Sequence, residues 1–186
     1  MPEIQYTSND LMDILAKRVE AWTEDMVFRA QPVEEDDILP DDYDQPDARE
    51  TKIQVYKNEL PEKGDLVRSI PYIILSHQGF RDDKNGSVDF IRFMIGIYNP
   101  QKFDSGVWCT LGGISDVTRA AQRLRVSLQR EVVFGAFQLM KQGEYGVEFT
   151  PYTPETPPYY FGELTAAFLG PEVERDLGDW RSSFFV

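Results

Sequence analysis

The apolar positions of this chain follow two periods, one helical and one alternating, and together they divide it into elements. From Thr7 to about Phe28, Leu11, Ile14, Leu15, Val19 and Trp22 recur at helical spacing, while Thr7 and Asp10 stand at the separation of a capping box. This predicts an amphipathic helix. Gln31 to Arg49 breaks every period and contains Pro32, Pro40 and Pro46, which predicts a loop excursion. Thr51–Tyr56 alternates and reads as a short strand or arm, and Ile70–Ser76 reads as a better strand with Pro71 near its start. Arg81–Gly86 ends in Asn85-Gly86, a hairpin signal.

The strongest strand signal is Ser87–Asn99. Ile91, Phe93, Ile95 and Ile97 share one face, and Phe90, Met94 and Tyr98 share the other. Two apolar faces predict a central position in a sheet. Gly96 within it signals a bend or a close backbone approach. A loop through Asp104-Ser105-Gly106 and Gly112-Gly113 then leads to a helix from about Ser115, its expected N-cap, to Glu131. Asp116 falls in the first turn of that helix, where the helix dipole favours an acid. Val117, Ala121, Leu124, Leu128 and Val132 form its apolar stripe, with Arg119, Arg123 and Arg130 nearly opposite. Phe134–Leu139 and Val147–Phe149 read as short strands, Tyr152–Pro158 as an extended Pro-rich run, and Tyr159–Leu169 as a further strand. The fold class predicted is α/β (α+β): a mixed, mainly antiparallel sheet packed against two main helices.

Composition adds limits to this plan. A length of 186 residues, 41% hydrophobic, suits one domain with one core, spanning residues 1–186 with an acidic excursion at 31–50 and a C-terminal extension at 171–186. No apolar run approaches the roughly 18 residues of a membrane-spanning helix. The N-terminus lacks the basic start and apolar stretch of a signal peptide, so synthesis in a cytoplasm is expected. Cys109 is the single cysteine and has no disulfide partner within the chain.

Net charge is −13, and its distribution is uneven. Residues 31–50 hold Glu34, Glu35, Asp36, Asp37, Asp41, Asp42, Asp44, Asp47 and Glu50 against Arg49 alone, so one segment supplies a net −8. That segment reads either as a solvated linker or as an electrostatic docking arm for a basic partner. Without a basic surface, simple nucleic-acid binding is disfavoured.

The residues offer little chemistry. His77 is the only histidine, and no nucleophile-elbow motif accompanies it, which predicts a structural or surface role. One histidine and one cysteine do not close a zinc site, and Asp36 to Asp44 lacks the register of a calcium loop. Gly112-Gly113 before a helix would suit a phosphate, yet no phosphate-loop motif surrounds it, so a turn requirement is the expectation. Together these readings predict no enzyme, no cofactor and no metal. The stripe Arg119, Arg123 and Arg130 reads either as a solvated face or as a subunit interface whose arginines meet a neighbour's carboxylates, including those of 34–47. Tyr152, Tyr159, Tyr160 and Phe161, beside a Pro-rich run, read either as core or as a protein–protein contact.

One ordered set of short motifs resembles a known family. It comprises Pro71-Tyr72-Ile73, Met94-Ile95-Gly96-Ile97-Tyr98-Asn99, Gly113-Ile114-Ser115-Asp116-Val117 opening a helix through Leu124-Arg125-Val126-Ser127-Leu128, then Pro154-Glu155 and Pro157 to Thr165. Order and spacing over residues 70–169 resemble the tail-terminator (tail-completion, minor tail protein U-like) proteins of long-tailed bacteriophages. Phe161 stands where that family often has an indole, and 31–50 and 171–186 look like additions. The resemblance implies a homo-oligomeric, hexameric ring in the virion, assembled in the host cytoplasm at the head-proximal end of the tail. Its implied partners are further copies of itself, the tail tube protein and the head–tail connector protein. DNA would pass through the ring without specific binding, and no membrane is involved. A head–tail connector (stopper or adaptor) and an acidic protein-binding module that mimics DNA are the alternative readings.

Overall fold

The computed structural model describes residues 7–30, 50–59, 70–83, 86–141, 146–154 and 157–171. The acidic docking residues Glu34, Glu35, Asp36, Asp37, Asp41 and Asp42, and the C-terminal extension beyond Pro171, lie outside them.

Helix α1 spans Ser8–Thr23 and starts as its sequence predicts. Thr7 is the N-cap: its amide donates to Asp10 Oδ2 at 2.7 Å, and the Asp10 amide donates back to Thr7 Oγ1 at 3.4 Å. The Thr7 amide, then its hydroxyl, hold the Asp10 carboxyl below its usual range. The helix ends five residues before Phe28, contrary to expectation. At about 100° per residue, a continued helix would turn Phe28 away from the Leu11–Val19 stripe. The chain instead turns through Glu24-Asp25 into strand β1 (Val27–Arg29), and Phe28 is buried.

The expected strand Thr51–Tyr56 is two strands. β2 (Glu50–Lys52) pairs antiparallel with β1, while β3 (Gln54–Lys57) pairs parallel with β4 (Tyr72–Asp83), and buried Ile53 separates them. β4 and β5 (Gly86–Tyr98) form a long antiparallel hairpin with an irregularity between His77 and Gly79. Helix α2 covers Thr110–Glu131 and begins five residues before the expected N-cap Ser115. Gly112 and Gly113 therefore lie in its first turn. A methyl group on Gly113 would overlap the Tyr160 ring, so that glycine serves a close helix–strand approach and not a turn. The helix stops at Val132, whose φ of 61° reverses the backbone out of the helical path.

The expected strand Phe134–Leu139 is a tight hairpin, β6 (Val133–Phe134) and β7 (Phe137–Leu139), turning at Gly135 with φ 65°. β8 (Glu148–Pro151) and β9 (Tyr159–Leu169) complete a seven-stranded sheet of order β3-β4-β5-β9-β7-β6. β8 pairs with the first half of β9 on the edge that β7 occupies further along. The result is an α+β fold with a mixed, mainly antiparallel sheet.

Both helices pack on one face of that sheet. Leu11, Leu15 and Val19 of α1 and Val117, Ala121, Leu124 and Leu128 of α2 bury against Ile91, Phe93, Ile95 and Ile97 of β5. The alternation read from β5 thus sorts as expected, and β5 is central, paired on both edges. The opposite face carries a second apolar cluster of Ile70, Tyr72, Ile74 and Tyr98, with Tyr56, Met94, Tyr159 and Phe161 packed around it. No described helix lies over this outer face.

Candidate functional site

The described residues singled out by sequence fall at two places, and the structure adds a third. Arg119, Arg123 and Arg130 are exposed along the outer side of α2, as the helical period requires. Their partners belong to this chain. Arg119 lies over the Phe28 ring at 4.8 Å, donates to the Val27 carbonyl at 3.4 Å and pairs with Asp116 at 3.4 Å. Arg123 donates to Asp25 at 2.9 Å. These contacts fasten β1 and the end of α1 to α2. Arg130, in the last turn, has no hydrogen-bond or ion-pair partner among the described residues. With Arg123, Lys52 and Trp22 it lines an open groove of about 590 Å³ between the two helices and β2.

The second place is the outer face of the sheet. Tyr159 and Phe161 sit on it, with Tyr159 tilted against Tyr98 at 5.6 Å between ring centroids. Tyr160 does not join them. Strand alternation sends it to the helix side, where it is 1% exposed against Gly113. Of that aromatic trio, two residues face outward and the third is core. Tyr72, central on the outer face, packs its ring over Gly96, where an added methyl would come 2.6 Å from the ring. Gly96 therefore marks a close approach, one of its two predicted readings. The Tyr72 hydroxyl is buried without a partner among the described residues, and burial pushes its pKa up to about 12. Tyr160 is also raised, by burial first and then by nearby Cys109.

The third place was not foreseen. Between β5 and α2 the chain forms a small ribbon: Lys102 bridges Trp108, and the Phe103 amide donates to the Val107 carbonyl at 2.8 Å. Phe103 and Val107 are 55% and 61% exposed at its tip, and Leu111 on the first turn of α2 is 75% exposed. The sequence signal was present in Phe103 and Val107 flanking Asp104-Ser105-Gly106 at hairpin spacing.

His77 has a definite partner. Its Nε2 lies 2.8 Å from Asp89 Oδ1, and Ser8 Oγ donates to the same oxygen at 2.5 Å. Asp89 is 4% exposed. In a nucleophilic triad the serine bonds the imidazole; here serine and histidine both bond one carboxylate oxygen, and Ser8 opens α1. The arrangement ties the helix N-terminus, with its positive dipole end, to a buried acid on the β4–β5 hairpin. Asn99 similarly donates to Asp116 at 2.7 Å, joining the end of β5 to α2.

Among the described residues, no group of three or more His, Cys, Asp and Glu side chains is placed to hold a metal ion. No described helix is long and apolar enough to cross a membrane. Compared with known proteins, the chain matches no family model and no characterised sequence.

Proposed function

We propose that this chain is a structural assembly subunit: a ring-forming protein that caps the tail tube of a long-tailed bacteriophage, ends tube polymerisation and joins the tail to the head connector. The observation that carries the assembly reading is the aromatic outer face of the sheet. Tyr56, Met94, Tyr159 and Phe161 lie there partly exposed, with no described helix above them. Tyrosine, phenylalanine and methionine are the residues enriched where proteins bury one another's surfaces.

A closed ring needs two different patches on each subunit, because each copy meets its neighbours head to tail. The sheet face is one such patch, and the ribbon tip of Phe103 and Val107 with Leu111 is a second, separate one. The position at the tail end rests on the ordered motifs between Pro71 and Thr165 and on their resemblance to tail terminators. The interfacial arginine reading of α2 is narrowed by the internal partners of Arg119 and Arg123, which leave Arg130 as its member without a partner among the described residues.

Light scattering on the size-exclusion peak, followed by electron microscopy with and without purified tail tubes, tests this. A six-fold ring, alone or on the tube end, is the expected result. A monomer at high concentration that leaves tubes uncapped would sink it. The double variant Tyr159→Lys/Phe161→Lys should keep the circular dichroism of the parent and lose the ring.

A further inference from the structure

We draw no further inference here: the strongest candidate, the aromatic outer face of the sheet around the buried Tyr72 hydroxyl, belongs to the assembly surface already proposed, and nothing in the structure shows what covers it.

Discussion

The two faces of the seven-stranded sheet come from the same strands, yet they are finished differently. On the inner face, Phe93, Ile95 and Leu164 are fully buried under two helices, and the residues are nearly all aliphatic or phenylalanine. On the outer face, tyrosines dominate, and Met94, Tyr159 and Phe161 are only partly covered. A core needs volume and no polar atoms, whereas a contact surface needs large groups that tolerate water until a partner arrives. The inner face is closed under the two helices, whereas the outer face buries its centre at Ile70, Tyr72, Ile74 and Tyr98 and leaves Tyr56, Met94, Tyr159 and Phe161 partly exposed around it.

Neighbouring residues on β5 break this comparison most sharply. Phe93→Ala removes an inner-face ring and should cost about 3–5 kcal/mol in urea unfolding, whereas Met94→Ala, one residue on and facing outward, should cost roughly 1 kcal/mol. Equal costs would mean that both faces are core. Alkaline titration gives the next effect. The Tyr72 pKa is raised to about 12, so between pH 10 and 12 the unfolded chain ionises first and stability falls as pH rises. The loss attributable to this residue is on the order of 2–3 kcal/mol by pH 12, and Tyr72→Phe should flatten that limb in pH-dependent denaturation.

The two ring-facing glycines give an effect of similar or smaller size. Gly113→Ala on the inner side and Gly96→Ala on the outer side each drive a methyl into a tyrosine ring, at about 1–3 kcal/mol. Gly113→Ala should be the costlier in thermal unfolding, because its methyl would come 2.2 Å from the Tyr160 ring against 2.6 Å from the Tyr72 ring at Gly96. At neutral pH, Tyr72→Phe should stabilise by roughly 1 kcal/mol, since it removes a buried hydroxyl without a partner. A decrease in Tm instead would reveal a bonded partner for that hydroxyl.

Local pattern carried much of this architecture. The cap at Thr7 and Asp10, the two faces of β5, the bounds of β9 and the apolar stripe of α2 all follow from period and spacing. Two errors, the turn reading of Gly112-Gly113 and the N-cap placed at Ser115, share one cause. Glycine signals either a turn or a close approach, and at Gly113 the approach of Tyr160, 47 positions along the chain, decides. The side chosen by Tyr160 was legible, because Tyr160, Leu164, Ala166 and Phe168 alternate with outward residues along β9. The joining of Ser8, His77 and Asp89 was not, since it depends on where α1 meets the β4–β5 hairpin. The parallel pairing of β3 with β4 has no local signal either. For the candidate site, exposure of the α2 arginines was readable, but their partners Asp25 and the Val27 carbonyl were not.

The position of β9 also bears on how the chain folds during synthesis. The β4–β5 hairpin closes locally, but β5 waits for a strand whose nearest pairing, Tyr98 with Tyr159, spans the whole of α2 and three short strands. Until β9 emerges, β5, β7 and β8 lack their common neighbour, and the strand edge of β5 is bare. Such late, long-range pairings slow folding and leave an open edge for association with other chains. The stretch of synthesis before Tyr159–Leu169 is in place is thus the interval in which the newborn chain is most open to unwanted partners.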